Sequence, residues 1–121
     1  MFEGFKVVFV EDDQPVRQSL TQTLELAGLE VLAFASAEAA LPHVHAGLQG
    51  IVISDIQLPG MDGLQLLAHI ARVDAAIPVI LVTAHGDVAM AVQAMQAGAY
   101  DFIEKPFAPE RFTETAVRAM E

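Results

Sequence analysis

Four short, largely apolar runs, at residues 6–10, 29–34, 50–55 and 78–83, and a fifth strand-like stretch at 101–104 divide the chain. Lys6-Val7-Val8-Phe9-Val10, Gly50-Ile51-Val52-Ile53 and Pro78-Val79-Ile80-Leu81-Val82 are apolar at both alternating sets of positions. That pattern predicts strands covered on both faces, as in a parallel sheet. Leu29-Glu30-Val31-Leu32-Ala33-Phe34 is more polar and reads as an edge strand. Between the runs, apolar residues return at helical spacing. Val16, Leu20, Leu24 and Ala27 form one face of a helix opened by Pro15 and stopped by Gly28. Ser36 caps a second helix over 37–45, and Glu38 is favourable in its first turn. Pro42 lies inside that helix and should kink or shorten it, because proline lacks a donor and clashes one turn back. Further helices are expected over 64–73, from a cap at Asp87 to Ala97 with Gly98 as the stop, and from near Pro109 to the end. Strand and helix alternating with short connections imply right-handed crossovers and helices on both sides of one sheet, an α/β three-layer sandwich of (βα)5 type.

Composition narrows the picture. A chain of 121 residues with 54% hydrophobic content fits one domain with a sizeable core. Sixteen acidic residues against six basic ones leave a formal charge of −10, which argues against direct binding to nucleic acid or an anionic membrane. Cysteine is absent, so disulfides, thiol chemistry and cysteine zinc sites are excluded. The segment Met1-Phe2-Glu3-Gly4-Phe5-Lys6 has no basic region leading into a long apolar stretch, and no apolar run reaches the length of a membrane span. A cytoplasmic location is the expectation.

The chemistry collects where the strands end. The first ends in Glu11-Asp12-Asp13, the third in Asp55, the fourth in Thr83 and the fifth in Lys105. In a parallel sheet these ends share one edge, the edge at which open α/β sheets bind ligands. Asp55 alone could equally be a cap for the next helix; the convergence of the other strand ends favours a site. Two carboxylates about 5 Å apart repel by roughly 3 kcal/mol at an effective dielectric near 20, a cost that a divalent cation between them removes. An all-oxygen set with room for water suits Mg²⁺. Lys105 can meet a phosphoryl oxygen, Thr83 can donate to another, and Asp55 can act as a nucleophile that forms an acyl phosphate.

These residues resemble the response-regulator receiver family over the whole chain, residues 1–121. The matching features are Asp12-Asp13 after the first strand, Asp55 followed by Leu58-Pro59-Gly60-Met61-Asp62-Gly63, Val82-Thr83-Ala84, and Lys105-Pro106-Phe107. Ser54-Asp55-Ile56, Thr83-Ala84-His85-Gly86 and Gly98-Ala99-Tyr100-Asp101-Phe102 are most similar to receivers of sigma-54-dependent regulators of the nitrogen-regulation and C4-dicarboxylate-transport type; receivers of nitrogen-fixation regulators are also similar. The resemblance implies a flavodoxin-like fold with strand order 2-1-3-4-5. It implies that Asp55 accepts a phosphoryl group from a sensor histidine kinase, and that Asp13, Asp55 and the Gln57 carbonyl hold Mg²⁺, with Asp12 acting through water. Thr83 and Lys105 would bind the phosphoryl oxygens, Phe102 would follow Thr83 inward as a switch, and Gln57 and His85 would tune phosphate loss. A cis Lys105–Pro106 bond is also implied. The output would be transcriptional, through a homodimer and an output domain outside this chain, which reads as part of a longer regulator.

Some positions depart from the family pattern. Phe102 lacks the hydroxyl of the frequent tyrosine, so ring packing would carry the switch. Glu11 stands where a further Asp is often found and is expected to point away or tune charge. Met90 and Met95 do not share one face of their helix, and with Val88, Ala91 and Ala94 they could serve dimerisation. His43 and His45 make a poor metal pair, His69 reads as a helix-surface residue, Asp62 as a turn residue, and His85 as a solvent-facing loop residue. Three rival functions remain: a stand-alone signalling receiver, a Mg²⁺-dependent phosphohydrolase with an aspartyl nucleophile, and a flavin-binding module. The hydrolase type needs an acid/base two residues after the nucleophile, where Gln57 stands. The flavin type needs phosphate donors after the first strand, where three carboxylates stand.

Overall fold

The computed structural model describes residues 3–121; Met1 and Phe2, which open the stretch read as lacking a signal peptide, lie outside the described residues. The strands are β1 (Lys6–Val10), β2 (Glu30–Phe34), β3 (Gly50–Asp55), β4 (Val79–Thr83) and β5 (Asp101–Glu104). They form one parallel sheet in the order β2-β1-β3-β4-β5. The helices are α1 (Gln14–Leu26), α2 (Ala37–Ala40), α3 (Gly63–Val73), α4 (Val88–Gln96) and α5 (Pro109–Met120). β3 is buried at all six positions and lies at the centre, whereas β2 is the more polar edge that its sequence predicted.

Two apolar clusters lie on opposite faces of the sheet. One packs Val8, Val10, Val52 and Leu81 under Ala37, Leu66, Ile70 and Ala94 of α2, α3 and α4. The other packs Phe9, Ile51, Ile53 and Ile80 under Leu24, Phe112, Ala116 and Met120 of α1 and α5. Alternate residues of the same strands thus feed different cores, which is why the sequence shows no alternation. Phe112 is fully buried, meets Phe9 edge-on at a centroid distance of 5.7 Å, and stacks with Phe107 at 5.4 Å.

Three local rules explain the element ends. Gly28 takes φ +88° after α1, a conformation that a side chain disfavours. A Cβ on Gly50 would run into the Lys6 backbone, so only glycine lets β3 lie this close to β1. The expected second helix over 37–45 is instead one turn of α2 followed by a 3₁₀ turn over Leu41–His43. Pro42 accounts for the difference: it sits in the first turn of the 3₁₀ segment, where its missing donor costs nothing.

At the N-terminal edge of the sheet, Asp74 ties two turns together. Its Oδ2 accepts from Gly47 N–H at 2.9 Å and its Oδ1 from Ala76 N–H at 3.0 Å. These two donors hold its carboxyl below the ordinary value of 3.8. A depressed folded-state value gives stability that is present above the unfolded value and lost as pH falls through the folded one. Asp74→Asn should therefore lower the melting temperature at neutral pH, and the gap to the unaltered chain should close as the pH is taken below the ordinary carboxylate range. Thermal melts across that range check this; a gap independent of pH would refute the charge-based account.

Candidate functional site

Asp55 is the last residue of β3 and is 7% exposed. Its Oδ2 lies 2.7 Å from Lys105 Nζ, and its Oδ1 accepts from Gln57 N–H at 3.2 Å. Lys105 follows β5 and is placed by its own N–H, which donates to the Thr83 carbonyl at 2.9 Å. Burial alone would lower the Lys105 ammonium; the hydrogen bond it donates to Asp55 and the charges of Asp55, Glu11 and Asp12 outweigh it and hold the group above its ordinary value. The Lys105–Pro106 peptide is cis, as the resemblance implied. Thr83 is 2% exposed at the end of β4, beside the Asp55 strand. The strand ends Asp55, Thr83 and Lys105 thus meet at one edge, as sequence order alone suggested.

The acidic run after β1 divides its work differently from the expectation. Glu11, Asp12 and Asp55 each offer a carboxylate oxygen, and these lie within 4.8 Å of one another. Asp13 is not one of the three. Its Oδ1 accepts from Val16 N–H at 3.1 Å and caps α1. The structure thus groups Glu11 and Asp12, rather than the Asp13 to which the resemblance gave the direct metal role, with Asp55, because Pro15 in the first turn of α1 leaves Asp13 as the cap. Glu11, expected to point away or to tune charge, is 4% exposed and turned inward, where its charge acts on Lys105. Its Oε2 accepts from Asp13 N–H at 3.1 Å and its Oε1 stands 3.9 Å from Lys105 Nζ. Burial, reinforced by Asp55 and Asp12, raises its carboxyl above the ordinary value despite the Asp13 N–H and Lys105.

An oxygen-only trio open on the Asp12 side suits a hard divalent cation such as Mg²⁺. Gln57 is exposed next to it, and its side chain carries no acid for proton transfer. The loop that follows is anchored from α2, where Glu38 Oε2 accepts from Met61 N–H at 2.9 Å. Asp62 proves to be the cap of α3, with Gln65 completing a reciprocal pair, rather than a turn residue alone. His85 is exposed in the β4–α4 loop, where Gly86 N–H donates to Glu104 Oε2 at 2.6 Å. Phe102 is half-buried and lines a mainly apolar cleft of about 360 Å³ with Val88, Ala91, Val92 and Met95 of α4. Of the two α4 methionines, Met95 is 42% exposed and Met90 is half-buried against the core. His43 lies against the Phe34 ring at 4.7 Å, and His69 is half-buried rather than fully on the surface. Arg17 was not singled out from the sequence, yet its Nη1 donates to the Glu11 carbonyl at 2.8 Å. Its place one turn into α1, directly behind the acidic run, brings it within reach of that carbonyl.

Comparison with known proteins agrees with this geometry. The response regulator receiver domain model matches residues 7–117. The C4-dicarboxylate transport transcriptional regulatory protein DctD of Rhizobium meliloti (strain 1021) is 56% identical over 115 residues, covering 95% of this chain and 25% of DctD. The transcriptional regulatory protein FixJ of the same organism is 43% identical over 117 residues, covering 97% of this chain and 57% of FixJ. The FixJ-N crystal structure superimposes with a TM-score of 0.85 at 42% identity, covering 96% of this chain and 93% of that one. The chain spans about a quarter of the length of DctD. Receiver domains of this kind are phosphoacceptor switches rather than turnover enzymes, and they bind Mg²⁺ through acidic residues. With the strand order, the acidic trio and the Lys105–Asp55 pair all in place, this chain belongs to the response-regulator receiver family.

Proposed function

We propose that the chain accepts a phosphoryl group on Asp55 from a phosphohistidine of a sensor histidine kinase, and that the change drives the output of a transcriptional regulator of the sigma-54-dependent type. The observation that carries this reading is the Asp55 carboxylate, 7% exposed, faced by Glu11 and Asp12 and held by Lys105. An Asp55 oxygen forms a bond to phosphorus while the N–P bond of the donor breaks and its electron pair returns to the imidazole. Asp12 and Asp55, with the Gln57 main-chain carbonyl and Glu11 beside them, form the oxygen set for Mg²⁺; Asp13 stays with α1. When bound, the cation neutralises charge on the phosphoryl oxygens. Lys105 moves from Asp55 to one of those oxygens, and the Thr83 hydroxyl donates to another.

Withdrawal of Thr83 toward the phosphoryl group opens room beside Phe102, whose ring already borders the cleft under α4. Ring packing then couples the site to the α4–β5 surface, where homodimerisation would be set. Gln57 and His85 flank the group and would tune its loss. The charge of −10 keeps this domain off nucleic acid, leaving that contact to an output domain. No helix among the described residues is long and apolar enough to cross a membrane, which fits a cytoplasmic partner of a kinase.

The test is intact-mass measurement after incubation with a small phosphodonor and Mg²⁺. A single phosphoryl adduct per chain that decays slowly is expected. Continuing donor hydrolysis with no adduct would instead identify an aspartyl phosphohydrolase.

A further inference from the structure

The polar atoms of Glu11 are all engaged. Its N–H donates to the Phe34 carbonyl at 3.0 Å, which extends the β1–β2 pairing by one residue. Its carboxylate takes the Asp13 N–H and faces Lys105. Its carbonyl accepts from Arg17 Nη1 at 2.8 Å, and the same nitrogen reaches the Asp12 carbonyl at 3.5 Å. One guanidinium therefore grips the main chain of the two residues whose carboxylates face Asp55. Asp12 itself is exposed, and that long contact ties its main chain to the α1 guanidinium.

The choice of acceptor matters. An arginine placed beside three carboxylates would ordinarily form a forked pair with one of them. Such a pair would occupy the oxygens a cation needs. Here the guanidinium is on carbonyls instead, reached from one turn down α1, where the Arg17 N–H also opens the helix by donating to the Asp13 carbonyl at 2.8 Å. The loop is thereby fastened to the helix while the Asp12 carboxylate is left open.

We infer that Arg17 is a positioning residue for the cation site: its grip on the Glu11 and Asp12 carbonyls sets the β1–α1 loop in the shape that presents the acidic trio to Mg²⁺. This rests on the functional reading above. Two effects of the arginine oppose each other, and their signs separate them. As a positive charge it repels a cation, so its loss would tighten Mg²⁺ binding. As an outer-shell support it aids binding, and losing such a support typically weakens metal affinity 10–100-fold.

Titration calorimetry of Mg²⁺ into the chain, without phosphodonor, reads the balance. Arg17→Ala should bind Mg²⁺ about tenfold more weakly or worse. Arg17→Lys, which keeps the charge but ends one bond short of the Nη1 position that reaches both carbonyls, should fall between Arg17→Ala and the unaltered chain. Gln18→Ala, on the exposed side of the same helix, should bind as the unaltered chain does. Melts without Mg²⁺ show that each variant is folded; if Arg17→Ala is not, Arg17→Lys decides, weaker binding supporting the role and equal binding overturning it. Unchanged or tighter binding by a folded Arg17→Ala overturns the inference and leaves the phosphoacceptor reading intact. No Mg²⁺ binding by the unaltered chain overturns both.

Discussion

Asparagine at position 55 should abolish the phosphoryl adduct while the chain stays folded. An amide has no ionised oxygen to attack phosphorus, and no other carboxylate in the cluster is placed to replace it. Glu11 is committed to the Asp13 N–H, and Asp13 to the Val16 N–H. Asp12 remains, but Lys105 makes its short contact, 2.7 Å, with Asp55. The change is not silent in the resting chain. Asparagine can keep the bond from Gln57 N–H through its oxygen, but its NH₂ then faces the Lys105 ammonium where a carboxylate oxygen stood. Relief of repulsion among the three acids works in the other direction. A cooperative melt with no adduct in the intact mass is therefore the expected pair of results. An adduct of undiminished yield on the variant would remove Asp55 from its assigned role.

The largest loss of stability should come from Phe112→Ala. The ring is fully buried, edge-on to Phe9 and stacked on Phe107. Truncating a buried phenylalanine costs about 3–5 kcal/mol through lost burial and the cavity left behind. Against a total of roughly 5–15 kcal/mol, that is a large share. For a domain of this size it corresponds to a fall in melting temperature of roughly 10–20 °C. Phe107 is only half-buried, so Phe107→Ala should cost clearly less. Because Phe107 lies two residues beyond Lys105, the Phe112 ring also steadies the segment that carries the ammonium to Asp55. Denaturant melts of both variants settle the comparison; a Phe112→Ala cost under about 1 kcal/mol would mean the core closes over the gap.

Most of the sheet could be read from the chain, because strands greasy on both faces have few competing explanations. Each predicted strand falls within one residue of the observed one. The second helix was harder. Its periodicity ran on past Pro42, but proline ended the α-helical turn, as its missing donor requires. The site was legible in its parts and not in its detail. Asp55, Thr83 and Lys105 each end a strand, so topology alone brings them together. Glu11, Asp12 and Asp13 are three consecutive acids, and composition does not say which one turns inward. The discriminating signal was Pro15: a proline in the first helical turn makes Asp13 the cap and leaves Glu11 and Asp12 as the acids grouped with Asp55. The Arg17 contact was not legible, because it joins a side chain to main-chain carbonyls, which leave no trace in residue type.

The two cores divided by the sheet have a consequence for how this domain can be altered. Phe112 and Leu66 sit on opposite sides of a wall of strands and share no core cluster. Substitutions that are well separated and have no common partners combine additively. The α1/α5 side can therefore be rebuilt as an independent module without renegotiating the packing beneath α3 and α4. Only the strands themselves, and Gly50 pressed against Lys6 above all, must satisfy both sides at once.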